Sequence, residues 1–334
     1  MKDTKTIELL MKDAPEAGSG HFRHQKQFFI AQRCGRLANR LVLFAHFAAL
    51  AEEQGDRVVN FTFHSYAHLF ETTRRDIYCR YPAAQRRSWL DLIPGLAPAL
   101  RKTRLCYHIV RAVSAMTERF PIFGKTAVIL RETPGEMTLL DGTAVQDQIR
   151  DARIVFVHGW RLCAPQLVQR HAPKIREYFR PVPEVEQASR RAVDLLRQNA
   201  DVVVGVHVRQ GDYRGWRGGK FFFPVAQYAA WMREFAGQFP GKKVAFCVCS
   251  DESRTPDEFT GLTVGFGPGF PAGDLFALAR CDYIFGPAST FTQWASFYGG
   301  KPLFQLWGSN DRLELGKFDV SYLKLPTDRE LGRL

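Results

Sequence analysis

The chain has 334 residues, of which 46% are hydrophobic. That is enough for about two domains with sizeable cores, and it excludes an intrinsically disordered chain. The formal net charge of +12 points to an anionic partner such as a nucleotide diphosphate, a phospholipid, a nucleic acid or an acidic glycan, without choosing among them.

Residues 1–25 mix charges and contain Ala17-Gly18-Ser19-Gly20, which predicts a loosely ordered tail. The segment has neither the apolar core nor the cleavage site of a signal peptide. No apolar run approaches the ~20 residues that span a bilayer. Seven cysteines, at 34, 79, 106, 163, 247, 249 and 281, are odd in number and lack C-x-x-C spacing. They read as reduced, buried small hydrophobes, so the expected location is cytoplasmic.

Gln27 to Gln32 is a short apolar run of strand length. It leads through Arg33-Cys34-Gly35-Arg36 into a helix over 37–53, where Leu37, Leu41, Phe44, Ala48 and Ala51 keep helical spacing. Gly55 ends that helix, and Arg57 to Phe63 predicts a second strand. Strand, glycine turn, helix and strand open a Rossmann-like unit. Residues 70–125 are rich in arginine (74, 75, 80, 86, 87, 101, 104 and 111) and predict mostly helix, broken at Pro82, Pro94 and Pro98. Further strands are expected at 126–130 and 154–158, and a helix at 166–179.

The alternation then repeats. It predicts helices at 185–199, 224–239, 275–280 and 289–298, and strands at 201–208, 243–249, 282–285 and 302–306. The nearly all-apolar Asp201 to Val208 suits a parallel sheet covered on both faces. The predicted fold is α/β with two Rossmann-like, doubly wound parallel-sheet domains, at 26–181 and 182–334, with the boundary near Pro181 to Pro183. In such sheets ligands bind beyond the carboxyl ends of the strands.

Three motifs sit at such ends. His207-Val208-Arg209-Gln210-Gly211-Asp212-Tyr213 closes a buried strand with a charge, which is costly without an anionic partner. An arginine fork suits a diphosphate, and an Arg–Asp ion pair closing the strand is the equal alternative. Cys247-Val248-Cys249-Ser250-Asp251-Glu252 ends a second strand in a carboxylate, which could accept from guanine N1 and N2 or cap a turn. Gly286-Pro287-Ala288-Ser289-Thr290-Phe291 opens a helix with small and hydroxyl residues, a form that serves either an anion or plain capping.

These blocks carry a resemblance. HVRQGDY, VCSDE and DLFALARCDYIFGPASTFTQWASF, in that order, resemble the HxRRxD, SDD and "D…CD…S-x-STFSWWA" blocks of the α-1,2-fucosyltransferases of glycosyltransferase family 11. CGRLANRLVLFAHFAALA is similar to the glycine–asparagine loop of that superfamily and of protein O-fucosyltransferases. Val157-His158-Gly159-Trp160-Arg161, with Ile175-Arg176 and Phe179, is similar to the family's "GYFQS…IR…F" block. Together the blocks span residues 30 to 306. In four places the chain departs from the pattern: Gln210 stands for the second Arg of HxRRxD, Ala38 for a Gly, Arg40 for a Gln, and Thr292-Gln293-Trp294-Ala295 for SWWA.

The resemblance implies a GT-B fold and a metal-independent, inverting transfer of fucose from GDP-fucose to an oligosaccharide or glycolipid hydroxyl. No Asp-x-Asp pair occurs in the chain, and no cofactor is implied beyond the donor substrate. Arg209 would hold the β-phosphate with His207 beside the nucleotide. Asp251 would read guanine. Ser289, Thr290 and Phe291 would line the phosphate loop, and Gly35 and Asn39 would form the opposing lip. Asp212 is the nearest base candidate, or it orients Arg209. Two alternatives remain: the same fold with another nucleotide sugar, and a non-catalytic module for nucleic acid or membrane. No nucleic-acid motif accompanies the basic 74–111 region, so peripheral contact with the inner face of an anionic membrane is the preferred reading of that charge.

Overall fold

The structure is a computed structural model that describes residues 24–85, 93, 95–120, 124–326 and 332. Residues 1–23 of the tail expected over 1–25, together with Arg86, Arg87 and Pro94, lie outside the described residues.

The elements run β1 (Gln27–Ile30), α1 (Leu37–Gln54), β2 (Arg57–Val59), β3 (Arg80–Tyr81), α2 (Leu96–Thr103), α3 (Leu105–Arg119), β4 (Ala127–Arg131), β5 (Thr138–Leu139), α4 (Thr143–Ile149), β6 (Ile154–His158) and β7 (Leu162–Cys163). They continue α5 (Pro165–Arg170), α6 (Ala172–Tyr178), α7 (Pro183–Arg197), β8 (Val202–Val208), α8 (Val225–Ala236), β9 (Val244–Ser250), β10 (Thr263–Phe266), α9 (Pro271–Leu278), β11 (Tyr283–Pro287), α10 (Thr290–Gly299), β12 (Pro302–Leu306) and β13 (Asp319–Val320).

The first sheet has the order β3-β2-β1-β6-β4 and the second β10-β9-β8-β11-β12-β13. Pairing is parallel except at the edge strands β3 and β13. All seven residues of β8 are buried, as a central parallel strand covered on both faces requires. Two expectations change. The strand expected over 57–63 stops at Val59, and Phe61–Ser65 turns into a 3₁₀ segment that buries Phe63. The helix expected over 166–179 is two, because Pro173 cannot donate and restarts the chain as a first-turn residue of α6.

α1 ends at Gly55, whose φ of 72° and N–H to Ala51 O make a left-handed cap. Its residues from Leu37 to Ala51 are buried on nearly every face, the pattern of a helix enclosed by protein. One side packs on the first sheet, with Phe28 and Phe47 rings 5.5 Å apart. The opposite side meets the second half, where Trp294 of α10 stands edge-on to Phe179 at 5.1 Å. The chain end crosses back as well: Leu323 and Leu325 are fully buried in the same apolar cluster as α1. His46, fully buried on α1, accepts from Ala164 N–H through Nδ1 and meets Leu323 O through Nε2, each at 3.0 Å. The two halves therefore share a continuous apolar contact, and the carboxyl ends of both sheets face one cleft.

Candidate functional site

The cleft encloses about 710 Å³. Its walls are mostly the segments that leave the carboxyl ends of β1, β4, β6, β8 and β11, as doubly wound sheets dictate, with Tyr66, Pro271, Gln305 and Pro326 beside them.

On the first half, Gly35 has φ +42°, and a Cβ there would lie 2.3 Å from Asn39 Nδ2. Only glycine lets the loop close over the start of α1. Arg40 is buried and donates to Cys34 O (3.4 Å), Gly35 O (3.3 Å) and Thr62 O (2.7 Å). It also lies over the Tyr66 ring. The residue standing in place of a glutamine is thus an internal strut for the lip rather than a cleft side chain.

On the second half, Arg209 leaves the end of β8 with its side chain 18% exposed. Its fork donates to both oxygens of Asp212 at 2.8 Å, and Nε lies 3.4 Å from Asp251 Oδ2. Burial disfavours its charge, but the two carboxylates outweigh burial and hold its pKa above the ordinary value. Asp212 is depressed in turn, because the Arg209 bond and the charges of Arg209 and Arg36 overcome partial burial. Beside this pair, Ser289 caps α10 by accepting from Phe291 N–H at 3.0 Å. Thr290 Oγ1 donates to Asn39 Oδ1 at 2.5 Å, joining the two halves across the cleft. Arg36 also reaches across, to within 3.9 Å of Asp212.

The motif residues separate into two groups. Gly35, Asn39, Arg209, Asp212, Ser289, Thr290 and Phe291 all line the cleft. Asp251 and His207 do not. The Asp251 oxygens accept the Gln210 and Gly211 N–H groups at 2.9 and 3.0 Å, so this carboxylate braces the turn that presents Arg209. His207 lies beneath the floor, stacked on Phe291 at 4.8 Å. Burial, then the Arg209 charge, pushes its pKa down to about 3 and keeps it neutral. Gln210 also turns inward: its amide donates to Phe223 O and accepts from Arg254, each at 2.9 Å. The position that the resemblance gives to a second arginine thus faces the protein in this chain.

Sequence reading missed three groups. Glu132 lines the cleft, and its Oε2 accepts the Trp160 and Arg161 N–H groups at 2.7 Å. It sits against Gly159, whose φ is +121° and where a Cβ would meet the carboxylate at 2.8 Å. Arg161, Arg36 and Arg217 add positive charge to the walls. Tyr213 stacks on Trp216 at 4.7 Å and donates to Ala288 O at 2.9 Å. Burial pushes its pKa up to about 12. The Val157 to Arg161 stretch was the available signal for the first group, and the aromatic spacing after Asp212 for the last.

A second groove of about 500 Å³ shares Gln293, Gln305 and Pro326 with the cleft. It presents the amides of Gln166 and Gln169 and the rings of Trp307 and Tyr322. Gln293 is 4% exposed, and its Oε1 has no hydrogen-bond partner among the described residues.

No protein-family model and no curated protein matches the chain. Among solved structures it is similar to a point mutant of FUT1 from Arabidopsis thaliana in complex with GDP, at 16% identity and a TM-score of 0.52, covering 94% of this chain and 74% of that one. It is also similar to POFUT1 in complex with GDP (13%, TM-score 0.45, 84% of this chain and 96% of that one) and to the fucosyltransferase NodZ from Bradyrhizobium (17%, TM-score 0.46, 84% and 95%). The FUT1 likeness extends over both sheets, and the chain has the GT-B type of fold, two Rossmann-like sheets facing each other across a cleft.

Proposed function

We propose that the chain is a glycosyltransferase that moves L-fucose from GDP-fucose to a hydroxyl of a glycan, with inversion, through an α-1,2 linkage and without a metal ion. One observation carries the reading: a half-buried arginine fork, Arg209, lines an interdomain cleft together with the capped N-terminus of α10. Both groups favour a diphosphate, and the ordered motif blocks and the FUT1-like fold support fucose as the sugar. The same fold with another nucleotide sugar is the outcome that would correct the donor.

In the reaction the acceptor oxygen attacks C1 of the sugar. The C1–O bond to the β-phosphate breaks with its electron pair on phosphate, and the hydroxyl proton passes to a cleft carboxylate. Negative charge builds on the β-phosphate as the bond stretches. Arg209 and the Thr290 N–H at the start of α10 are oriented before the reaction, so they stabilise the transition state more than the ground state. Asp212 is the proposed proton acceptor. It also occupies the Arg209 fork when no donor is bound, and the diphosphate would take over that fork. The glutamine- and aromatic-lined groove offers hydroxyl-bonding amides and stacking rings, the chemistry that a neutral oligosaccharide acceptor needs.

The test is thermal stability with GDP, GDP-fucose, UDP, UDP-glucose and CMP, with and without EDTA. A ligand at ~100 times its Kd adds ~2.7 kcal/mol to the folded state. A rise with guanosine nucleotides alone, unchanged by EDTA, supports the proposal. A rise with uridine nucleotides overturns the donor, and no rise with any nucleotide overturns the transferase reading.

A further inference from the structure

Helix α3 has two apolar faces. Tyr107, Val110, Ser114 and Thr117 are buried against the domain, where Tyr107 and Val110 join Phe29, Phe61 and Phe156 in one cluster. At about 100° per residue, Leu105, Ile109, Ala112 and Met116 fall within about 60° of one another on the opposite side. That second stripe is open: Leu105 is 49% exposed, Ile109 40%, Met116 55% and Phe120, just past the helix end, 54%. These four are half of the eight large apolar side chains that stand exposed among the described residues. The other four, Ile93, Leu139, Leu195 and Phe270, lie elsewhere along the chain, so the exposure is concentrated here rather than scattered.

The charges around the stripe are of one sign. Over 96–120 the chain carries Arg101, Lys102, Arg104, Arg111 and Arg119 against a single acid, Glu118, which Arg131 already binds at 2.8 Å. Lys102, Arg104, Arg111 and Arg119 are exposed, while Arg101 is used internally on the carbonyls of Thr73, Arg74 and Asp76. A nucleic acid would answer the charge but leave the apolar side chains in water. A bilayer with anionic headgroups answers both, with the side chains of Ile109 and Met116 in the acyl boundary and the arginines among phosphates. No helix of the described residues is long and apolar enough to cross a membrane, so the contact is in-plane.

We infer that the outer face of α3, with the basic end of α2, is a peripheral docking surface for an anionic lipid bilayer. None of these residues lines the cleft, so this surface stands or falls independently of the transferase reading. It would hold the protein where glycolipid substrates lie.

The experiment is co-sedimentation of the full chain with vesicles of phosphatidylglycerol and phosphatidylcholine in equal parts, against phosphatidylcholine alone, at low and high salt. Each Lys or Arg near an anionic surface is worth about a fivefold gain in affinity. The expected result is at least tenfold preference for the anionic vesicles at low salt, lost at high salt. Ile109→Glu/Met116→Glu and, separately, Lys102→Glu/Arg111→Glu should each lose tenfold or more while keeping the wild-type Tm. Should the glutamates unfold the chain, Met116→Ser gives the same comparison more mildly. The proposal is overturned if the wild type does not sediment with anionic vesicles or if the folded variants bind as well as it does. A dimer seen by light scattering that Ile109→Glu/Met116→Glu dissolves would equally overturn it, since a second copy would then cover the stripe.

Discussion

Thr290 Oγ1 donates to Asn39 Oδ1 at 2.5 Å, and this one hydrogen bond ties the N-terminus of the helix beside Arg209 to the glycine lip of the other half. It joins residues 251 positions apart. A double-mutant cycle of Asn39→Ala and Thr290→Val should give a coupling of about 0.5–1.5 kcal/mol in unfolding free energy. Additive effects would show that the two side chains do not act together in solution.

Arg209→Ala should abolish most transfer while the fold survives, since Asp251 still braces the turn through Gln210 and Gly211 N–H. The expected loss is about 10²–10³ in kcat, the scale of one preorganised charge donor. The Tm rise with GDP should shrink together with it. Arg209→Lys should recover little, because an ammonium cannot bridge two oxygens as the fork does.

Asp212→Asn separates two roles. A proton acceptor would show as a fall in kcat of about 10²–10⁴. A carboxylate that only occupies the Arg209 fork would show instead as tighter GDP binding with kcat nearly unchanged. We expect the fall in kcat, measured beside GDP affinity in the same variant.

Gly35→Ala meets both a positive φ and Asn39 Nδ2 at 2.3 Å. The backbone term alone costs about 1 kcal/mol, and Asn39 must also move, which breaks its bond to Thr290. Donor KM should therefore rise severalfold, while Tm falls by only about 2–4 °C. Denaturant unfolding of the variant beside wild type, with donor titration, checks this.

Stability should fall in mild acid. His46 and His64 are held near pKa 4 and His207 near 3, each chiefly by burial, against an ordinary 6.5. A histidine depressed in the folded state contributes stability above pH 6.5 that is lost as pH falls toward the folded value, because the unfolded chain binds more protons. Asp274 runs the other way. Burial raises its pKa to about 7 from 3.8, so its contribution is present at low pH and is lost as pH rises toward 7. These four groups together should take up about two protons on unfolding near pH 5. His46→Gln should lower that slope by about one proton, read from urea unfolding free energies between pH 4.5 and 6.5.

How far the site was legible depended on the kind of interaction. The apolar run of β8, the glycine before α1 and the hydroxyls before α10 are local patterns, and the loops they predict do line the cleft. Asp251 reads in sequence as a guanine contact or a turn cap, because a carboxylate at a strand end looks the same whether it faces solvent or a backbone turn 40 residues away. Gln210, at the position the resemblance gives to a second arginine, is drawn inward by Phe223 and Arg254, which no local pattern signals. Glu132 went unnoticed, because its contact with Trp160 and Arg161 depends on β4 lying beside β6.

What the sequence determined by itself was the alternation of strands and helices in both halves, the loops at the strand ends and the positive charge of the chain. These follow from residue-by-residue hydrophobicity, backbone freedom and charge, which act over a few neighbours. Only the tertiary structure decided that α1 is enclosed on both sides, that the chain end returns to lock His46, and that Asn39 meets Thr290. It also decided which face of α3 stays in water. Burial and pairing are properties of segments brought together from far along the chain, and the same side chain is a strut, a ligand or a docking surface according to what folds against it.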